Sequence, residues 1–333
     1  MDPSFNHVVV IGASTGGVGA LLEITSALPP SFPAPICVVQ HVGAHPSLLP
    51  ELLRYRRPNN AVHAQDGQRI AAGTLYIAPP DRHLLLEGDR LRVVHGAKEN
   101  HARPAIDPLF RSAALSWGPN LIGVVLTGQL DDGSAGLAAV KDCGGIAVVQ
   151  DPAEAVEPEM PYSALAACEV DHCVPLAHIA PLLARLVRAR PQPLPPAPER
   201  LAREVAINRD AATLDNLAAI TIPSCLTCPD CGGTLSEVKE GKPLRYRCHT
   251  GHAFSVRTLI SLQADAADSA LWGSIRILRE REMLLRRSAG VARGLGDQSQ
   301  WTAGEAQADS LREQIRALEA IARGSVPGGQ RPA

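Results

Sequence analysis

A chain of 333 residues, 45% of them apolar, can bury a substantial core and suggests about two domains. Its formal net charge of −2 argues against a nucleic-acid partner, and it has no run of about 18 apolar residues that would insert in a membrane. The first apolar run begins almost at the N-terminus, so no secretory leader is expected and the protein is expected in the cytoplasm.

Residues 1–190 alternate short β-branched runs with helical stretches. Strands are expected at 7–12, 35–41, 61–65, 74–78, 121–127, 146–150 and 170–174, with a hairpin over 83–95 that turns at Glu87-Gly88-Asp89. Helical patterns fall at 17–28, 47–56, 107–117, 134–142, 160–168 and 176–189. Ile36-Cys37-Val38-Val39 and Leu121-Ile122-Gly123-Val124-Val125-Leu126 are apolar on both faces. That pattern belongs to a parallel sheet covered on two sides, so the expected fold class is α/β, a doubly wound parallel sheet.

Five prolines within 191–198 cannot continue a helix, which puts a Pro-rich linker at 191–200. A small zinc-ribbon-like and helical C-terminal region follows over 201–324, with long amphipathic helices near 256–290 and 301–324. Their charged faces read as solvated surface; an oligomerisation or docking hairpin is the sharper alternative. The Gly- and Pro-rich tail over 325–333 is expected to be disordered.

The first strand runs directly into Gly12-Ala13-Ser14-Thr15-Gly16. This has the G-x-S-x-G form of a nucleophile elbow, in which a sharp strand-to-helix turn lifts the serine hydroxyl from the sheet. Ligands in open α/β sheets collect at the carboxyl ends of the strands. There the sequence supplies Ser14, then His41 after Gln40, then Asp131 and Asp132 within Thr127–Gly133. A serine, a base and a carboxylate at three strand ends are the set for acyl-transfer chemistry. Each has a plainer role: Ser14 as a helix cap, His41 as a lone polar residue, either aspartate as a turn or cap residue. The glycines also resemble a dinucleotide fingerprint, but the second strand ends in Gln40-His41 where an acidic ribose partner is needed, and no Tyr-x-x-x-Lys pair or P-loop is present.

Four of the eight cysteines, Cys225, Cys228, Cys231 and Cys248, fall within 24 positions. Cys228 and Cys231 form a tight knuckle, and sixteen residues later Cys248 and His252 complete a C-x2-C-x16-C-x3-H pattern. Three thiolates and an imidazole match tetrahedral structural zinc, with Cys225 and His249 as spare donors.

Five separated segments carry a closer likeness: Val10–Gly17, Val39-Gln40-His41, Ile77–His83, Arg103–Ser112 and Leu126–Gly133. In this order they resemble the CheB-type methylesterase domain over about residues 7–187, and the C-terminal segment resembles zinc-ribbon-like tails of some stand-alone members. The resemblance implies a doubly wound domain with Ser14 as nucleophile, His41 as base and Asp132 as the acid, and no cofactor for catalysis. It implies hydrolysis of glutamate γ-methyl esters on chemoreceptors, with deamidation of glutamines as a related reaction. Backbone N–H groups of Thr15, Gly16 and Gln129 become the expected oxyanion donors, and His83, Arg103 and Arg111 the expected cleft residues. Gln129-Leu130 stands where the family usually has Met-Gly, which bears on substrate preference. The family's N-terminal receiver domain has no room before residue 7, so activity is expected to be constitutive, or controlled by the C-terminal region or by another chain. The expected partners are a methylated chemoreceptor and a separate response regulator or methyltransferase. The alternatives are a low-turnover signalling adaptor and an esterase or deamidase acting outside chemotaxis.

Overall fold

The computed structural model describes residues 5–42, 45–56, 60–209 and 214–324. The tail over 325–333, expected to be disordered, lies outside them. The molecule divides into two compact units, Met1–Leu259 and Ile260–Ala333.

The first unit begins with β1 (Val8–Ala13), α1 (Gly17–Ala27), β2 (Ile36–Gln40), α2 (Leu49–Arg56), β3 (Asn60–His63) and β4 (Thr74–Ile77). A hairpin of β5 (His83–Glu87) and β6 (Arg90–Val94) leads to α3 (Ile106–Trp117), β7 (Leu121–Val125) and α4 (Ser134–Asp142). Then come β8 (Ile146–Gln150), α5 (Glu159–Ala167), β9 (His172–Val174) and α6 (Leu176–Leu186). Every strand and helix expected in residues 1–190 is present, with ends shifted by three residues or fewer.

Seven strands form one sheet in the order β3-β4-β2-β1-β7-β8-β9, and every neighbouring pair is parallel. Side chains of a strand alternate between faces, and both faces are apolar here. Val8, Val10, Val39 and Val125 pack toward α3 and α4 with Phe110 and Leu137. Val9, Ile11, Val38 and Val124 pack on the other side, with Leu21 and Ile24 of α1, Leu53 of α2 and Leu183 of α6. Each such buried side chain contributes roughly 1.5–3 kcal/mol. Two helical layers therefore cover the sheet. The strand order reverses between β1 and β7, and that reversal opens a crevice at their carboxyl ends.

The expected linker is exposed, but Asn120 and Gln192 exchange two 2.8 Å hydrogen bonds that tie it back to the first domain. It does not separate the compact units, which divide at Leu259 and Ile260. Beyond it lie α7 (Glu199–Asn208), α8 (Leu214–Ile220) and the antiparallel sheet β10 (Thr221–Thr227), β11 (Thr234–Val238), β12 (Arg245–Cys248) and β13 (Ala253–Ser255). A buried charge network joins these elements to the α/β core. Arg111 of α3 and Arg247 of β12 both donate to Glu99 at 2.5 Å. Glu204 of α7 accepts from Arg245 and lies 3.6 Å from Arg111.

Burial would raise the Glu99 carboxyl, but Arg111 and Arg247 bring it down to about 2. Removing one partner of such a network leaves buried charge uncompensated. Glu99→Ala is therefore expected to cost about 3–5 kcal/mol, read as a lower urea midpoint. An unchanged midpoint would show that the network adds nothing.

The second unit holds most of α9 (Val256–Gly294) and all of α10 (Gln298–Ala322). Ile275, Ala289 and Ala292 are buried with Ala308, Leu311 and Ile315, and a Cβ on Gly304 would stand 3.0 Å from that of Ala289. Arg286 reaches Glu282, Glu305 and Asp309. Solvent screens these pairs, so they add little to stability. The small apolar seam holds the hairpin.

Candidate active site

Ser14 directly follows β1, His41 directly follows β2, and Asp132 lies between β7 and α4. Three adjacent strand ends bring them together. Ser14 does not cap α1, whose cap is Gly16 with no side-chain hydrogen bond. Instead its backbone is fixed: Ser14 N–H donates to Thr127 O at 3.0 Å, and its carbonyl accepts from Gly17 N and Gln40 Nε2, each at 2.8 Å. Gly16 takes φ +79°, a left-handed conformation that glycine adopts without strain. Gly128 serves another purpose, because a Cβ there would fall 2.7 Å from the Cβ of Ser14 and 2.1 Å from Met160 Sδ. The loop after β7 can close on the serine only if this position has no side chain.

Ser14 Oγ lies 3.1 Å from His41 Nδ1, and His41 Nε2 lies 2.8 Å from Asp132 Oδ2. With Nε2–H donated to the carboxylate, Nδ1 keeps its lone pair and faces the serine hydroxyl. The Asp132 carboxylate also accepts from the backbone N–H groups of Ile106 (2.7 Å), Asp107 (3.2 Å) and Gly133 (3.0 Å), and from Asn100 Nδ2 (3.0 Å). Burial opposes ionisation, but the bond from His41 and these other donors outweigh it and hold the carboxyl below its ordinary range. Asp107 sits beside it and accepts from Gly133 and Gly136 N–H. Burial and the neighbouring Asp132 charge push Asp107 up to about 7. The two neighbouring carboxyls are thus shifted in opposite directions.

Asp131 is turned away from the histidine. It accepts from Ser255 Oγ at 2.7 Å and Thr258 Oγ1 at 3.0 Å, tying the loop to β13 and the start of α9. Thr15, Gly16 and Gln129 are exposed at the mouth, and their backbone N–H groups have no protein acceptor among the described residues. A concavity of about 260 Å³ beside His41 is lined by Asp81, Lys98, His101, Ala102, Arg103 and Pro104.

Residues 9–183 match the CheB methylesterase family, which is just over half of the chain. The chain belongs to the CheB methylesterase family. A curated relative from Leptospira interrogans is 41% identical over 186 residues, which cover 54% of this chain and 94% of that one. The protein-glutamate methylesterase/protein-glutamine glutaminase 4 of Anaeromyxobacter dehalogenans is 43% identical over 192 residues, and there the match spans 52% of the relative. The CheB methylesterase catalytic domain of Thermotoga maritima, a crystal structure, superposes with a TM-score of 0.52 at 35% identity, covering 55% of this chain and 99% of that one.

Two of the expected cleft residues are not in the CheB-like crevice. His83 is fully buried: its Nε2 meets Ala97 O at 2.9 Å and its Nδ1 accepts from Ala105 N–H at 3.2 Å. Burial lowers its pKa, so it serves as a neutral strut under the turn before α3. Arg111 is 1% exposed and committed to Glu99 and Glu204. Its place on the inner face of α3 sends it into the charge network, not toward substrate. Arg103 does line the concavity, held by Asp81 at 2.7 Å and by Gly96 O at 2.7 Å. Asn100 and Asp107 are missing from the sequence-based site: Asn100 lies outside the five family-like segments, and Asp107, though inside Arg103–Ser112, is not singled out there.

Cys228, Cys231, Cys248 and His252 converge, with all four donor atoms within 4.8 Å of one another. Cys225 and His249 are not in the group. Gly232 at φ +74° turns the first knuckle, and its N–H donates to Cys228 O at 2.8 Å. Cys231 and Cys248 sulfurs are 3.8 Å apart, and Cys248 Sγ is 3.5 Å from His252 Nδ1. The edge of a tetrahedron with metal–sulfur bonds of about 2.3 Å is about 3.8 Å, so the donors fit a soft divalent ion. Among the described residues no helix is long and apolar enough to cross a membrane.

Proposed function

We propose that this chain is a protein-glutamate methylesterase/protein-glutamine glutaminase that acts as a serine hydrolase on methylated chemoreceptors in the cytoplasm. The observation that carries the reading is the unbroken hydrogen-bonded chain from Ser14 Oγ through His41 to Asp132 at the switch point of the sheet. Family membership supports the substrate, and the exposed mouth beside Thr15 and Gln129 supports access by a receptor segment.

In this reading Ser14 Oγ attacks the γ-carbonyl carbon of a glutamyl methyl ester while His41 Nδ1 takes its proton. The oxyanion is received by the backbone N–H groups of Thr15, Gly16 and Gln129, each such donor being worth about 3–4 kcal/mol in the transition state. On collapse His41 returns the proton to the departing oxygen and methanol leaves. Water then repeats the sequence on the acyl-enzyme and restores the glutamate. With a glutamine substrate the same steps release ammonia. Asp132 remains ionised throughout, orienting the ring and stabilising the imidazolium. A fluorophosphonate probe tests the reading: it should label Ser14 covalently, and no adduct at Ser14 would count against it.

The cysteine group is assigned to structural zinc. Three thiolates and an imidazole close the coordination sphere, leaving no position for a reacting water. Replacing Cys228 and Cys231 together by serine is expected to reduce bound zinc from about one ion per chain to none and to loosen β10–β13. Equal zinc content in the variant would contradict the assignment. A separate response regulator or a methyltransferase would act as a further partner of the same domain.

A further inference from the structure

The charge chain of the site does not end within the α/β domain. Asn100 stands between the two buried carboxylates, with Nδ2 3.0 Å from Asp132 Oδ1 and 3.3 Å from Asp107 Oδ2. The turn that carries it is gripped by the C-terminal sheet. Asn100 N–H donates to Ala253 O at 2.8 Å, and Asn100 Oδ1 accepts from Ser255 N–H at 2.9 Å. The backbone of Asn100 is left-handed, at φ +48°, a conformation asparagine tolerates better than most residues. Every hydrogen-bonding group of this side chain is therefore used: the amide on the carboxylates, the carbonyl on β13.

The arrangement has a physical consequence. Two carboxylates buried side by side repel, and a donor shared between them offsets that repulsion. The same donor fixes the plane of Asp132, which in turn fixes the ring of His41 relative to Ser14. We propose that Asn100 is a positioning residue for Asp132, so that the β10–β13 sheet, through β13, forms part of the catalytic apparatus. This rests on the serine-hydrolase reading of Ser14. Asp131 reinforces the link, since its bonds from Ser255 and Thr258 anchor the residue next to Asp132 to the same segment.

The test uses the full chain and a fluorophosphonate probe, whose reaction with Ser14 needs no receptor. Asn100→Gly removes the amide but keeps the left-handed backbone accessible. The expected result is a maximal labelling rate lower by about 10- to 100-fold, the scale seen when reacting groups are slightly misplaced. Probe affinity and the final stoichiometry of one adduct per chain should stay unchanged. A purely structural role would lower the final stoichiometry and leave the rate of the folded fraction alone. Asn100→Asp retains the acceptor for Ser255 and replaces the donating amide. Labelled at alkaline pH it should also be slow, whereas a residue that merely clamps the turn would give the wild-type rate. Labelling of either variant within twofold of wild type overturns the proposal. Failure of the wild-type chain to label at Ser14 overturns the hydrolase reading instead, and the proposal with it.

Discussion

Ser14→Ala is expected to lower kcat for hydrolysis of a glutamyl γ-methyl ester by about 10⁴- to 10⁶-fold, the range lost when a serine nucleophile is removed. The reason is local. Ser14 Oγ is the group that His41 Nδ1 faces at 3.1 Å, and no other hydroxyl is within reach of that nitrogen among the described residues. The backbone bonds from Thr127, Gly17 and Gln40 do not involve the side chain, so the elbow should keep its shape. The thermal midpoint should therefore move little while turnover disappears. Loss of turnover accompanied by unfolding would point to a structural serine and would fit the substitution poorly.

Asp132→Asn is expected to cost about 10⁴-fold in kcat, as in other triads whose acid becomes an amide. The carboxylate accepts from His41 Nε2 and so leaves Nδ1 free to act as a base. An amide nitrogen at the same position donates to Nε2, moves the ring proton to Nδ1 and presents a donor to Ser14. The tautomer is then wrong for proton abstraction. The backbone donors of Ile106, Asp107 and Gly133 also lose half of their acceptor. A stability loss of about 1–3 kcal/mol is expected beside the kinetic one. The kinetic profile would show kcat falling with KM little changed, because Asp132 is buried beneath the mouth of the crevice. A KM effect with kcat intact would remove Asp132 from the acid role.

The doubly wound sheet was legible because its strands are short, β-branched and apolar on both faces, and each is bounded by Gly, Pro or a polar residue. Ser14 and His41 could be placed for the same reason, since each directly follows a recognisable apolar run, whereas the choice of Asp132 over Asp131 came from the family resemblance alone. The Cys228–Cys231 knuckle was legible from spacing, since a two-residue gap leaves only a tight turn, but spacing left Cys225 and His249 open as donors until the fold brought Cys248 and His252 beside the knuckle. His83 and Arg111 show the limit of motif reading. Both lie in segments close to the site, but His83 is turned inward by Ala97 and Ala105 and Arg111 by partners on α7 that lie more than 90 residues away, as Asn208 does. Asn100 lies further beyond reach. Its partner Ser255 is 155 positions distant, and nothing in a single polar residue before a turn announces such a contact. The same separation hid the attachment of the C-terminal sheet to the core, since its charge network joins Glu99 and Arg111 to Glu204 and Arg247.

These long-range contacts change how the C-terminal region is understood. The cysteine group lies at the base of β12 and β13, and β13 holds both Asn100 and Asp131. A metal held there would brace the same strands that hold the triad loop.

The most direct test of the central claim is methanol release from membranes carrying a radiolabelled, methylated chemoreceptor, with the intact chain compared against Ser14→Ala. The account predicts methanol release by the intact chain and none above background by the variant. Equal release from both, or none from an intact chain that a fluorophosphonate labels at Ser14, would contradict the claim that this serine demethylates receptors.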